Sequence, residues 1–420
     1  MKSLLASLCL VVALPAGAAS FAIRAGAVID PESGSVSRDQ VVLVEDGKIK
    51  LVAAHVAIPK DATVIDLSHE WLMPGLMDAH THLTLTEVTG GDAPFESFYI
   101  KESTTYRALR GLRNAQALLA AGFTTVRDVG NEAEYAMEDV GRAIDGGMFQ
   151  GPTIVTCGKI IAPFGGQSHS IPAEQGRFWD YEYLDADNPA EIRKAVRQNL
   201  YYGAHAIKLV LDNNPYHYSV EELRAAVDEA HAANAPVSVH VYGGVAADNA
   251  IEAGVDSIEH GFFLTDAQLQ RIKDKGIFLT STDYPRAHLD IIGTSGGIFP
   301  PPEVLAPAII DRLRRAHRIG VKLVFGSDTV NEMPGRTRAD LMFDYLTVWR
   351  TAGIPPADTL RAFTSNAARL LRVDRERGRI AVGLAADLVA MPSDPLADTE
   401  SLRRIDFVMK DGRVVRAPGR

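Results

Sequence analysis

Eight short apolar runs recur along the middle of the chain: GLMDAHTHL at 75–83, FTTVRDVG at 123–130, PTIVTCGKII at 152–161, HAIKLVLD at 205–212, PVSVHVYG at 236–243, DSIEHG at 256–261, IFLTSTDY at 277–284 and KLVFGSDT at 322–329. Each is bounded by turn residues and often β-branched, the pattern of a strand. Between several of them the apolar positions fall at helical spacing, as in TTYRALRGLRNAQALLAAG and VEELRAAVDEAHAAN. Alternating strands and helices predict an α/β fold, a parallel (β/α)8 TIM barrel over residues 75–377. The polar residues gather at the C-terminal ends of the strands, where such barrels carry their active sites.

The flanks follow another rhythm. Residues 20–74 hold short alternating strands with Asp46-Gly47 as a hairpin turn, and residues 378–420 repeat the pattern with Asp411-Gly412. Neither flank buries much alone, so the two are expected to pair into one composite β domain beside the barrel. Residues 1–19 read as a secretory signal peptide: Lys2, then an apolar run from Leu4 to Leu14, then Ala16-Gly17-Ala18. That run is short for a hydrocarbon core of about 30 Å. Export to the periplasm or the medium is the expectation, with no membrane attachment after cleavage.

Composition then removes several classes of function. Hydrophobic residues at 46% and charged residues at 23% are ordinary globular values. Lys+Arg of 43 against Asp+Glu of 53 gives a net charge of −10, which argues against a nucleic-acid or anionic-membrane partner, since either would need a basic face. Once Cys9 leaves with the leader, Cys157 is the sole cysteine and no intrachain disulfide can form. Within TIVTCGKII, Cys157 reads as a buried strand thiol rather than a nucleophile.

The candidate chemistry lies in Asp78-Ala79-His80-Thr81-His82. Residues two apart on a strand face one side, so His80 and His82 can reach one ion. Alone, the pair is equally a set of satisfied barrel histidines. Later strand ends add His240, His260 and Asp328, and Lys208 stands inside the run AIKLV. A lysine buried in a barrel is costly as an ammonium. As a neutral amine it can add carbon dioxide to form a carbamate, an anion with two oxygens able to bridge two cations. Four imidazoles, a carbamate and an aspartate make a two-metal site.

PGLMDAHTHL, the mid-chain lysine, HVYG, IEHG and GSDT, in this order, resemble the amidohydrolase superfamily over nearly the whole mature chain, including the late TSNAARLL and GLAADLVA segments. The branch is similar to metal-dependent dipeptidases of the prolidase type and to hydrolases of N-acyl amino acids such as ochratoxin. Imidazolonepropionase-like enzymes are a neighbouring branch. The resemblance implies that His80, His82 and Asp328 hold the more buried of two divalent ions, with zinc favoured. It implies that His240 and His260 hold the more exposed ion. Lys208, carboxylated, bridges both, as does a hydroxide that attacks the scissile carbonyl, while Asp328 carries the proton to the leaving nitrogen. Tyr242 is implied to contact substrate. In the loop Gly165-Gly166-Gln167-Ser168-His169, relatives carry Gly-Gly-His, and here Gln167 takes the matching position. His169 either substitutes for that histidine or is an ordinary loop residue.

Asp128 reads as a hydrogen-bond partner behind the site or as a loop carboxylate. Arg286, Arg336 and Arg338 are candidates for binding a substrate carboxylate, and His217 and His288 read as exposed loop residues. The expected activity is hydrolysis of an amide bond in a small molecule, a dipeptide or an N-acyl amino acid, and a homo-oligomer is left open. A cyclic-amide or lactone hydrolase with the same metals is the alternative. A catalytically dead barrel that binds a ligand is the alternative from another class.

Overall fold

A computed structural model of the chain describes residues 20–88, 101–130, 133–167, 172–212, 216–292, 300–333 and 335–418. The expected leader and His169 lie outside the described residues. Strands β1 (Ser20–Asp30), β2 (Ser35–Glu45), β3 (Lys48–Ala53) and β4 (Thr63–Pro74) come from the N-terminal flank. They join β17 (Leu388–Met391), β18 (Phe407–Lys410) and β19 (Arg413–Arg416) in one seven-stranded sheet, order β19-β18-β17-β4-β1-β2-β3. The seam between the two flanks is the antiparallel pair β17–β4.

Both Asp-Gly pairs form the hairpins expected of them. Asp46 and Gly47 have φ of 52° and 75°, and Asp411 and Gly412 have 47° and 71°, the left-handed pair of a two-residue turn. The two hairpin tips also touch: a Cβ on Gly412 would lie 2.6 Å from Gly47 Cα. Only glycine allows that approach.

The barrel strands are β5 (Leu76–Thr81), β7 (Phe123–Asp128), β8 (Thr153–Thr156), β9 (Ile160–Ala162), β11 (Ile207–Val210), β12 (Val237–Val241), β13 (Ser257–His260), β14 (Phe278–Ser281) and β15 (Lys322–Phe325). All pair in parallel, in the orders β5-β7-β8 and β9-β11-β12-β13-β14-β15, with β10 (Tyr183–Asp185) added outside β9. Two-residue strands β6 (Glu87–Val88) and β16 (Asn331–Glu332) pair only with each other. The ring closes where Asp328 N donates to His80 O at 2.8 Å and where Ala206 N donates to Thr156 O at 3.1 Å.

One expected strand differs. The run at 152–161 is two strands, β8 and β9, broken at Cys157–Lys159. Gly158 turns the chain with φ 66°, and Asn199 occupies the gap, donating to Lys159 O at 2.7 Å and accepting from Lys159 N at 3.2 Å. The two sequence-predicted helices appear at Thr104–Ala120, capped by Ser103, and at Val220–Ala232, opened by a Ser219/Glu222 capping box.

Alternation assigns the faces. Ile207, Leu209, Val237, Val239, Val241 and Ile258 pack outward among the helices. Lys208, Ser238, His240, Ser257 and Glu259 therefore face the barrel axis.

Sheet and barrel meet at Asp387, which is 3% exposed. Its carboxylate accepts from Arg377 Nη1 at 2.6 Å, Lys410 Nζ at 3.1 Å and Asp411 N at 2.8 Å. Its carbonyl accepts from Gly75 N, on the last residue before the barrel. Asp387→Ala leaves Lys410 and Arg377 with only the more exposed Asp411 carboxylate between them and is expected to cost about 2–4 kcal/mol in urea unfolding. A loss under about 1 kcal/mol would show that the joint is not held there.

Candidate metal centre

The site is built from strand ends. His80 is 1% exposed on β5. Its Nδ1 lies 2.7 Å from Glu259 Oε2 on β13. A carboxylate only accepts, so the proton sits on Nδ1 and Nε2 keeps its lone pair. Glu259 is itself fully buried, with Arg127 Nη2 at 2.8 Å and Ser257 Oγ at 2.5 Å on its other oxygen. Burial alone would raise its carboxyl, but Arg127 and His80 hold it well below the usual carboxylate range. Burial pushes the His80 imidazole down to about 4, with Lys208 adding to the effect, so His80 is neutral at pH 7.

His260 ends β13 next to Glu259, where strict alternation would turn it toward the helices. Its φ of 68° brings it back to the axis. Nδ1 lies 2.8 Å from Thr282 Oγ1, and the buried Nε2 has no hydrogen-bond partner among the described residues. His240, on β12, places Nε2 3.0 Å from Asp212 Oδ1, in an off-axis ion-pair approach. The same nitrogen is in hydrogen-bond contact with Gln167 Nε2 at 3.4 Å. The His240 and His260 rings stand 4.3 Å apart between centroids, and His80 is 5.0 Å from His260.

Asp328 follows β15 with φ 51°. Its Oδ1 lies 3.3 Å from His82 Nε2 and 3.6 Å from His80 Nε2, and its Oδ2 lies 3.7 Å from His260 Nδ1. Burial would raise its carboxyl, but the His80 and His82 imidazoles hold it well below the usual range. Lys208 is 2% exposed at the axis, and burial pushes its ammonium down. One donor atom each from His80, His260 and Asp328 falls within a 4.8 Å span.

This donor set fits a divalent cation. His80, His240 and His260 each set one ring nitrogen against Glu259, Asp212 or Thr282, which orients the other nitrogen toward an ion. Imidazole and carboxylate donors suit zinc, manganese or cobalt.

Tyr242 stands beside the cluster, its ring 4.8 Å from His240 and stacked on Phe262 at 5.3 Å. Asp128 Oδ2 accepts from Leu83 N at 2.7 Å and fixes the turn after His82. The three arginine candidates are engaged elsewhere. Arg286 pairs with Asp290 on the exposed face of its own helix at 2.6 Å, and Arg336 grips Asp344 with both Nη atoms at 2.7 and 3.0 Å. Arg338 is buried and donates to the carbonyls of His82 and Leu85. His288 is not an exposed loop residue: it is 3% exposed, with Nε2 3.0 Å from Asp344 Oδ2. His217 is exposed, as expected. Cys157 is buried and burial pushes its thiol up to about 12, which makes it inert.

Four partners escaped the sequence reading: Glu259, Arg127, Asp212 and Thr282. The signal for Glu259 was a charge at an inward position of a barrel strand, one residue before a more conspicuous histidine. Asp212 had a similar signal at the end of LVLD.

The profile of the Amidohydrolase family matches residues 71–415. The chain belongs to the amidohydrolase family. It is accordingly a hydrolase of C–N bonds. This amidohydrolase is 29% identical to the ochratoxinase of Aspergillus niger over 438 residues, covering 94% of this chain and 87% of that one. Among solved structures, a Xaa-Pro dipeptidase with bound methionine in the active site is similar at TM-score 0.82 and 27% identity, over 95% of this chain and 100% of that one. A prolidase complexed with N-methylphosphonate-L-proline is similar at TM-score 0.82 and 26% identity, over the same shares of 95% and 100%.

Glu259→Gln keeps the shape of the buried carboxylate but loses its charge. It is expected to weaken divalent-ion retention about 10- to 100-fold in chelator competition. Unchanged affinity would remove Glu259 from the support of the centre.

Proposed function

We propose that the chain is an exported, binuclear metal-dependent hydrolase that cleaves the amide bond of dipeptides or N-acyl amino acids. The observation that carries this reading is the convergence of His80, His260 and Asp328 at the barrel axis, with His82, His240 and Lys208 on the adjoining strand ends. His80, His82 and Asp328 would hold the more buried ion, and His240 and His260 the more exposed one. Carboxylated Lys208 would touch both. Burial favours the neutral amine that carbon dioxide adds to, which supports this assignment. Divalent cations bound there supply Lewis-acid polarisation of the scissile carbonyl and a water acidic enough to attack at neutral pH.

The chain's own residues do the rest. Asp328, ionised and beside His82, accepts the proton released as water adds to the carbonyl carbon. It delivers that proton to the amide nitrogen as the C–N bond breaks. Amines leave poorly, so this delivery matters more than it would for an ester. Tyr242 places a phenol beside His240, where it would contact the substrate carbonyl or carboxylate. Similarity to proteins named as an ochratoxinase and a Xaa-Pro dipeptidase supports an amide substrate. Export rests on the leader sequence at 1–19. Among the described residues no helix is long and apolar enough to cross a membrane.

Zinc-loaded protein screened against dipeptides, N-acyl amino acids, cyclic amides and lactones is expected to give hits in the first two classes. Hits confined to the last two would replace the substrate reading. Fewer than about one ion per chain, with no turnover of any amide, would leave a binding protein. Asp328→Asn is expected to retain ions by elemental analysis while kcat falls about a thousandfold, and near-normal kcat would end its role as proton carrier. Lys208→Ala is expected to lose activity and to regain part of it with added short carboxylic acids. Full activity without them would exclude the carbamate.

A further inference from the structure

Asp328 sits in a backbone conformation that needs outside support. Its φ is 51°, the left-handed region that residues other than glycine seldom adopt. The direction of its carboxylate is set by the rotation of the two peptide planes that flank its α-carbon. All four polar groups of those planes are engaged. In the plane before it, Asp328 N donates to His80 O at 2.8 Å, and Ser327 O accepts from the Tyr345 hydroxyl at 2.6 Å. In the plane after it, Asp328 O accepts from the Tyr284 hydroxyl at 2.8 Å, and Thr329 N donates to Ser327 Oγ at 3.3 Å. The two phenols come from separate elements. Tyr284 lies just after β14, and Tyr345 opens the helix Tyr345–Ala352. Each phenol has one proton to give, and both protons go to carbonyls that flank the same residue.

The phenols are themselves held by packing. Tyr345 is fully buried; its ring meets Phe325 edge-on at 5.8 Å and lies 5.9 Å from the Tyr284 ring. Since its proton goes to Ser327 O, its oxygen accepts from Thr329 Oγ1, 3.0 Å away, which fixes the hydroxyl from two sides. One residue earlier, Asp344 anchors the start of the helix. Its carboxylate makes no cap bond to that helix and is spent on other elements. It accepts from Arg336 Nη1 at 2.7 Å and Arg403 Nη2 at 3.0 Å, and lies 3.0 Å from His288 Nε2. Arg403 belongs to the C-terminal flank, so the stretch that completes the composite sheet also braces the residue next to Tyr345.

We propose that Tyr284 and Tyr345 are positioning residues that clamp the two peptide planes of Asp328 and so hold its carboxylate at the reaction centre. The proposal rests on the proton-carrier role given to Asp328 above. Without the clamp either plane can rotate and φ relaxes toward the negative region. The carboxylate then leaves its place 3.3 Å from His82 Nε2 and 3.6 Å from His80 Nε2. Proton carriage is the step most sensitive to that displacement, because a proton is passed only across a hydrogen-bond distance. Substrate binding does not pass through the clamp and changes little.

The test uses zinc-loaded protein, an amide that the wild type cleaves, and chelator competition for the bound ions. Tyr345→Phe and Tyr284→Phe keep the buried rings and remove only the hydroxyls. Each is expected to lower kcat about tenfold with KM within about threefold, and to weaken ion retention about tenfold. Added to Asp328→Asn, with zinc in excess, each should lower kcat by less than about twofold more, because an amide at 328 carries no proton wherever it points. A general loss of structure would lower kcat equally in both backgrounds. If one Tyr→Phe protein fails to fold, the other decides. Values of kcat and ion retention within about twofold of wild type, or an equal loss of kcat in the Asp328→Asn background, overturn the clamp. If the wild type cleaves no amide, the functional reading has failed. Ion retention then decides the clamp by itself: weakened in the Tyr→Phe variants if it holds, unchanged if it does not.

Discussion

The contact between Glu259 and His80, 2.7 Å long and fully buried, joins β13 to β5 across the barrel axis. A carboxylate there is tolerated only because Arg127 supplies the opposite charge at 2.8 Å and Ser257 fills a further lone pair. Arg127 is fixed in turn by Ala79 O, the carbonyl just before His80. The charged pair and the first histidine of the site therefore form one unit spanning three strands. If the barrel packs, this unit sets which nitrogen of His80 faces the cluster. The candidate metal centre thus takes the placement of its first histidine from the barrel itself.

The same barrel places two residues in backbone conformations that cost free energy. His260 and Asp328 both have left-handed φ, at 68° and 51°, without being glycine. Such conformations cost about 1–3 kcal/mol each and persist where surrounding contacts over-determine them. Here those contacts are visible. Asp328 N donates to His80 O at 2.8 Å, and Tyr284 donates to Asp328 O at 2.8 Å. Gly261 N, just after His260, donates to Val241 O at 3.0 Å. The effect is to turn two side chains inward at strand ends where regular alternation would send at least His260 outward. Strain is concentrated at the site, and the barrel closure that supports it is made by one of the strained residues.

The sheet built from both chain ends answers a different constraint. Cys157 is free and buried, and the ends are held instead by the β17–β4 seam, by the meeting of two glycine-tipped hairpins and by the charges around Asp387. These contacts lie at the base of β5, the strand that carries His80. Docking of the composite sheet and placement of His80 therefore depend on one continuous stretch of chain.

What the sequence determined by itself is the local part. Strand and helix runs, both Asp-Gly turns and the side chains that gather at the strand ends all follow from periodicity, turn chemistry and residue type, which act over a few residues. The one misread strand, 152–161, failed because Asn199, far along the chain, wedges into it at Gly158. Tertiary structure alone decided the rest. How each of three histidine rings is held depends on Glu259, Asp212 and Thr282. The engagement of Arg336 and His288 depends on Asp344, and the approach of Gln167 to His240 depends on Tyr183. Most of these pairings span tens of residues or more, 179 in the case of His80 and Glu259. Their energies come from burying charge and matching donors to acceptors, and those terms exist only once the strands are side by side.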